Sequence, residues 1–147
     1  MMFRIRRAAH EDRDEARALL DSCGLSSSDI FVPGAFYWLA RDNALAGFCG
    51  LEPDEDAGLL RSIAVRRDAR GQGLARALLE TALDAARRYS ITRIYLFSKD
   101  TGAFFESLGW KEVPVKETAE VMRAAPQVKH YNRIGWYPEE RAFRRDI

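Results

Sequence analysis

The sequence predicts a mixed α/β fold, and three observations predict it. Between Leu59 and Tyr89 the hydrophobic period changes from that of a strand to that of a helix, with Arg70-Gly71-Gln72-Gly73 at the change. Ile91 to Ser98 then reads as a returning strand, and a strand–helix–strand crossover of this length comes back parallel and right-handed. Upstream, Phe36–Ala40 and Leu45–Leu51 flank Asp42-Asn43 as an antiparallel hairpin, so the sheet is mixed.

The elements follow in chain order. Phe3 and Ile5 alternate with Arg4 and Arg6, which predicts a first strand with one wet face. Within Glu11–Cys23 the residues Ala16, Leu19, Leu20 and Cys23 recur at helical spacing; Asp12 and Asp14 suit the positive end of that helix, and Gly24 stops it. Residues 25–34 hold three serines, Pro33 and Gly34, the composition of a loop, with a short helical turn at Asp29. After the hairpin, Pro53-Asp54-Glu55-Asp56 is an acidic turn into the apolar strand Leu59–Val65. From Leu74 onward Leu74, Leu78, Ala82, Ala85 and Tyr89 fall along one helix face.

Beyond Ser98, Asp100–Leu108 is predicted as a short helix stopped by Gly109, and Trp110–Val115 as a strand. Glu117–Ala125 has helical composition and ends at Pro126. Gln127–Pro138 reads as an aromatic, irregular tail, and Ala142–Ile147 as a last short strand. No repeat, low-complexity tract or linker interrupts the order, so residues 1–147 are read as a single domain.

Composition narrows the function classes. A chain of 147 residues buries roughly 70% of its unfolded surface without metal or disulfide staples. Charged residues make up 31% and the net charge is +1, so no global field advertises a nucleic-acid or membrane partner. Cys23 and Cys49 lack CxxC or Cys/His ligand spacing, which predicts buried reduced thiols and no metal. No apolar run reaches membrane-spanning length and Met1-Met2-Phe3-Arg4 lacks a signal-peptide core. The expectation is a soluble cytoplasmic domain.

The glycine turn carries the chemistry. A strand that feeds such a turn into a helix start aims free backbone N–H groups at one point. The helix dipole adds partial positive charge there, and Arg70 and Arg76 add whole charges nearby. That point is an anion site suited to a phosphate or pyrophosphate. A Walker loop needs Gly, four residues, then Gly-Lys-Ser/Thr, which this chain lacks. The dinucleotide fingerprint needs a third glycine in an early βαβ unit, and this turn lies mid-chain.

Arg70, Gly73 and Ala75, preceded by a strand ending in Ala64-Val65, satisfy another pattern: Arg or Gln, two residues, Gly, one residue, Gly or Ala. This resembles the acyl-CoA loop of the GCN5-related N-acetyltransferases, the GNAT superfamily. Ala103-Phe104-Phe105-Glu106-Ser107-Leu108-Gly109-Trp110 looks like that family's A-x-F-Y-E-x-L-G-F segment, and the element order is similar over roughly the whole chain. Leu51-Glu52-Pro53 followed by Leu59–Val65 most resembles the arsenic-resistance N-acetyltransferases, relatives of amino-acid acetyltransferases; the C-terminal third departs from them. The resemblance implies a central mixed sheet of six to seven strands with flanking helices. It also implies acetyl-CoA as co-substrate and transfer of acetyl to the primary amine of a small amino-acid-like acceptor.

Residue by residue, the resemblance gives the pyrophosphate to the amides of Arg70, Gly71, Gln72, Gly73, Leu74, Ala75 and Arg76. It gives pantetheine to the strand Ile63-Ala64-Val65, splayed from its neighbour by a bulge near Ser62-Ile63, and places Ser98, Phe104 and Phe105 against the cofactor. Phe105 is a departure, because many members carry there a tyrosine proposed to protonate the leaving thiolate. Tyr95 and Ser98 are the alternative donors, each with a structural role as the competing reading. Glu52 is the candidate base, acting through water, against a reading as an exposed carboxylate. His10 and His130 rank below it, and Glu106 is expected on a wet helix face.

Arg61 interrupts an apolar strand, and a guanidinium there must be paired or solvated. Its functional reading is a clamp on an acceptor carboxylate or oxyanion, with Ser62 beside it; its structural reading is an edge or solvent-facing position or a salt bridge to Glu52, Glu55 or Asp56. Tyr131, Trp136 and Tyr137 either line the acceptor pocket or pack a C-terminal edge or homodimer contact. Two other functions stay open: acetylation of a protein or peptide N-terminus, and a CoA-binding module without catalysis.

Overall fold

Among the described residues, seven strands form one sheet in the order β1-β2-β3-β4-β5-β7-β6. The computed structural model describes residues 2–135, Tyr137 and residues 141–147. The strands are β1 (Arg4–Arg7), β2 (Phe36–Arg41), β3 (Leu45–Asp54), β4 (Ala57–Val65), β5 (Arg93–Ser98), β6 (Lys111–Val113) and β7 (Arg141–Asp146). The helices are α1 (Arg13–Ser22), α2 (Leu74–Arg88), α3 (Gly102–Ser107), α4 (Val115–Val121) and α5 (Pro126–Ile134). β4 and β5 pair in parallel and every other neighbouring pair is antiparallel, which is the mixed sheet the sequence predicts.

Helices cover both faces, and that explains the near-continuous apolar runs of β3 and β4. Residues Leu45 to Leu51 are all buried, as are Leu59 and Leu60. On one face Leu74, Leu78, Leu79, Ala82 and Leu83 of α2 pack on Trp38, Leu51, Leu60, Leu96 and Phe143. On the other, α1 lays Ala16, Leu19 and Leu20 on Leu39 and Phe48, while Met122 and Val128 cover Leu59 and Tyr95. Leu59 and Leu60, successive in β4, therefore serve opposite cores, as period-two alternation requires.

Several expectations need correction. The stretch from Gln127 is not irregular: Pro126 opens α5 at its first turn, Val128 and Tyr131 are buried at helical spacing, and Gly135 closes it with φ 71°. The preceding helix runs Val115–Val121 rather than to Ala125, and the strand before it is only Lys111–Val113. Tyr89 is not on the buried face of α2; it ends the helix half-exposed, stacked on Phe36 with ring centroids 5.0 Å apart. β3 also continues through Pro53 and Asp54, leaving only Glu55 (φ 55°) and Asp56 to turn the chain. No helix among the described residues is long and apolar enough to cross a membrane.

Candidate active site

β4 and β5 part company halfway along. They are paired from Ala57↔Arg93 to Leu60↔Leu96, and β4 continues to Val65 with no further partner on that side among the described residues. The cause is visible on the other edge. Gly50 faces Arg61 and Phe48 faces Ala64, so Cys49 alone opposes both Ser62 and Ile63. This is the bulge expected at Ser62-Ile63, and an extra residue bends and twists the strand that carries it. Ser62 sits at φ 58°, a left-handed conformation that costs a side-chain-bearing residue about 1–2 kcal/mol. The Arg61 Nε–H donates to Ser62 Oγ at 2.9 Å and holds the bulge in place.

The gap between the strands opens into a cavity of about 730 Å³. Arg66 N–H donates to Ala46 O at 2.7 Å, toward β3. In extended backbone the amide of Val65 then faces the cavity, and so, two residues back, does that of Ile63. The Val65 carbonyl accepts from Arg70 Nε at 3.0 Å, which hooks the Arg70 side chain back over the strand end.

Gly71 and Gly73 both adopt φ 78°, open to glycine without strain, and turn the chain into α2. The first helical hydrogen bond is that of Ala77 N–H to Gly73 O, so the N–H groups of Leu74, Ala75 and Arg76 precede the helical ladder. Among the described residues no side chain caps this helix, and its first turn holds no acid. The positive end of a fifteen-residue helix thus faces the cavity uncompensated, with Arg76 in the same wall.

Of the residues expected at the cofactor, Ile63, Ala64, Val65, Arg70, Gly71, Gly73, Leu74, Ala75, Arg76, Ser98, Phe104 and Phe105 line this one cavity. Gln72 is outside its wall and exposed. Ser98 Oγ lies 2.6 Å from Thr101 Oγ1 and accepts Thr101 N–H at 3.1 Å, so it also shapes the turn after β5. Tyr95 is outside the cavity and 1% exposed, on the face covered by Met122. Phe105 is buried against Trp110 and Phe143, with ring centroids 5.7 and 6.5 Å away. Neither His10 nor His130 lines the cavity.

At the apex of the splay lies a buried polar cluster. Arg61 has a fully enclosed side chain, and all its guanidinium nitrogens are engaged. NH1 and NH2 donate to the two carboxylate oxygens of Asp29 at 3.0 and 2.9 Å, NH1 also reaches Glu52 Oε2 at 2.9 Å, and Nε holds Ser62. Of the two readings of Arg61, the structure has the ion pair with Glu52; the planar fork a carboxylate clamp needs is filled by Asp29. Glu52 is 0% exposed rather than solvent-facing, and its other oxygen accepts the backbone N–H of Gln127 at 2.9 Å. It stands behind the cavity wall, not in it.

The charges follow from these contacts. Burial pushes the Glu52 carboxyl above its usual range, against the pull of Arg61 and the Gln127 amide. Burial also works against ionisation of Asp29, but the hydrogen bonds and charge of Arg61 outweigh it and hold that carboxyl below its ordinary value. Burial alone pushes the Cys49 thiol up to about 12, so it is inert, while half-buried Cys23 lies in the cavity wall.

Asp29 and Gln127 are the site residues that sequence reasoning missed. A buried arginine announces that it needs carboxylates, but Asp29 stands 32 positions away in a serine-rich loop. Gln127 fell in the stretch read as irregular. Tyr131 is buried against Phe97 and Tyr137 inside the protomer, and Trp136 lies outside the described residues.

The model of the acetyltransferase (GNAT) family matches residues 2–110. A curated relative, mouse (Mus musculus) N-acetyltransferase 8B, is 28% identical over 114 residues, 62% of this chain and 49% of that protein. The chain thus spans about half the length of that relative. Among solved structures, N-acetylglutamate synthase from Neisseria gonorrhoeae, complexed with coenzyme A and N-acetyl-glutamate, superposes with a TM-score of 0.77 at 24% identity, covering 99% of this chain and 35% of that one. The ribosomal-protein-S18-alanine N-acetyltransferase of Escherichia coli superposes at 0.72 with 21% identity, covering 99% and 94%. Both share the fold of this chain. By its sequence match over residues 2–110, which includes the bulged strand and the glycine turn, the chain belongs to the acetyltransferase (GNAT) family.

Proposed function

We propose that this protein transfers the acetyl group of acetyl-CoA to a primary amine by direct attack in a ternary complex. The observation that carries the reading is the join of two features in one cavity: the helix start with free amides, and the β4 edge released from β5. A pyrophosphate fits the first, since it brings the negative charge that the first turn of α2 lacks. An extended amide chain fits the second, since it supplies the strand partner that β4 loses after Leu60. Bound there, acetyl-CoA supplies an acetyl thioester, activated because a thiolate is a tolerable leaving group (thiol pKa near ~8.5).

The chain's own residues then bind, orient and polarise. Gly71 and Gly73 let the loop amides converge; Arg70 and Arg76 add charge at the same end. A cavity-facing N–H at Ile63 or Val65 donates toward the carbonyl oxygen where negative charge develops. The acceptor ammonium gives its proton to water in the open cavity. Glu52 acts at one remove: both its oxygens are engaged, so it anchors Arg61 and α5 rather than taking that proton. The leaving thiolate takes its proton from water or from Ser98, because Phe105 offers none.

The acceptor is an amino-acid-like primary amine, as the resemblance of the β4 region to amino-acid acetyltransferases suggests. Because Asp29 fills the Arg61 fork, that arginine leaves an acceptor carboxylate unclamped. Peptide N-termini and amino-acid amides therefore enter on equal terms with free amino acids. The test is thiol release from acetyl-CoA across free amino acids, their amides, polyamines and short peptides, with mass detection of product. An acetylated amine supports the reading. Silence across the panel with acetyl-CoA bound overturns it in favour of a non-catalytic CoA-binding module.

A further inference from the structure

Ser62 and Ile63 share Cys49 as their one counterpart across the sheet, and the extra residue reverses the alternation of β4. Leu60 and Val65, an odd number of residues apart, both pack in the core beneath α2, while Leu59 and Ala64 both face the other way. Backbone amides alternate with the side chains, so the same reversal sets which edge each amide beyond Ser62 faces. A strand without the bulge would turn the N–H groups of Ile63 and Val65 toward β3; with it they face the cavity.

The bulge depends on Ser62 holding φ 58°, a conformation that glycine visits freely and asparagine tolerates, but that serine disfavours. What offsets the strain is the bond that Ser62 Oγ accepts from Arg61 Nε–H at 2.9 Å. Its donor is charged, and such bonds are roughly twice as strong as neutral ones. The guanidinium has no freedom to turn away. Asp29 grips NH1 and NH2, and Glu52 takes NH1 as well. The Arg61 stem and the Tyr37 ring fill the space that Gly50 leaves by lacking a Cβ.

We propose that Arg61, gripped by Asp29 and Glu52, acts through Ser62 as a positioning residue for acetyl transfer, aiming the Ile63 N–H at the thioester carbonyl oxygen. This rests on the acetyl-transfer reading above. Ile63 is the amide for the role because it adjoins the apex of the splay, whereas Val65 ends the strand beside the glycine turn. Neither Arg61 nor Ser62 touches the reacting atoms in this scheme. Their work is to hold a donor where negative charge develops, and donors placed in advance are the ones that count there.

The test reads the thioester itself and needs no identified acceptor. Acetyl-CoA carrying a heavy isotope in its acetyl carbonyl is bound to the protein, and difference infrared spectroscopy follows the C=O stretch. Calorimetry with CoA, which has no such carbonyl, is run on the same samples. In the wild type the stretch should lie at lower frequency than for acetyl-CoA in water. Ser62→Ala keeps the strain and loses the bond, so the stretch should move back up. Ser62→Asn tolerates the conformation and offers Arg61 an oxygen, so it should restore the wild-type stretch. Ser62→Gly tolerates the conformation without an oxygen and should fall between. A purely structural role lowers the stability of Ser62→Ala but leaves the stretch of its bound fraction at the wild-type frequency, and that result overturns the proposal. So does a Ser62→Gly stretch equal to the wild type, which makes Arg61 dispensable. A wild-type stretch no lower than that in water overturns it even if every variant fails to fold. Failure of the wild type to bind CoA overturns the acetyl-transfer reading itself, and this proposal with it.

Discussion

Arg61 and Asp29, 32 positions apart, close a two-pronged ion pair, NH1 to Oδ2 at 3.0 Å and NH2 to Oδ1 at 2.9 Å. The pair ties the loop between α1 and β2 to the bulge of β4, and through Glu52 to the start of α5. One guanidinium thus holds together three segments that meet at the apex of the splay.

Removing one partner should be costly. Asp29→Ala leaves Arg61 enclosed with Glu52 alone, and breaking a buried pair in this way costs about 3–5 kcal/mol. Urea denaturation should show the midpoint falling accordingly; a midpoint unchanged from wild type contradicts the structural role given to the pair.

The same pair sets a pH dependence. The folded-state value of Asp29 is lowered below its ordinary 3.8, so its stabilising contribution is present above that value and is lost as pH falls through the lowered one. The stability advantage of wild type over Asp29→Asn should therefore be full at pH 6 and shrink on acidification below about pH 4. Denaturation of both proteins at pH 6 and pH 3 checks it, and an advantage that grows toward pH 3 rules it out.

At the other end of the cavity, Arg70→Glu should raise the KM for acetyl-CoA at least tenfold, since it sets a negative charge beside the turn and removes the hydrogen bond to Val65 O. The acceptor KM should change far less. Steady-state kinetics with each substrate varied separate the two, and an unchanged acetyl-CoA KM removes the pyrophosphate assignment.

Gly73→Ala probes the turn without adding charge. No atom lies within 4 Å of where its Cβ would stand, so the cost is the strain of φ 78°, about 1–2 kcal/mol. The variant should fold with a slightly lower melting temperature and bind CoA more weakly. Full affinity with unchanged stability excludes a left-handed residue here.

Phe143→Ala tests β7, whose side chain at this position is 0% exposed and packs near Phe105 with α2 and the sheet. Truncating an enclosed phenylalanine costs about 3–5 kcal/mol. A loss below about 1 kcal/mol, read by denaturant titration, means that β7 does not complete this core.

Much of the molecule was legible one residue at a time. The hairpin, the parallel return of β5 and the glycine turn rest on period, turn chemistry and crossover handedness, all local properties. The cavity wall was legible for the same reason: Ile63 to Val65 and, Gln72 apart, Arg70 to Arg76 are consecutive, so naming the motif names the stretch of wall they form. The tail misled because aromatic residues have weak helix propensity; Pro126 and Gly135, the two ends of α5, were the signal that was there to read.

The sequence by itself determined the mixed sheet, the glycine turn into α2 and the need of a buried Arg61 for company, because each follows from residues close in the chain. Only the tertiary structure decided who that company is. Whether Arg61 faces an acceptor or Asp29, and whether Glu52 meets water or the Gln127 amide, depends on which loop and which helix close over the strand. That choice is made by packing between segments 32 and 75 positions apart, and nothing in their spacing records it.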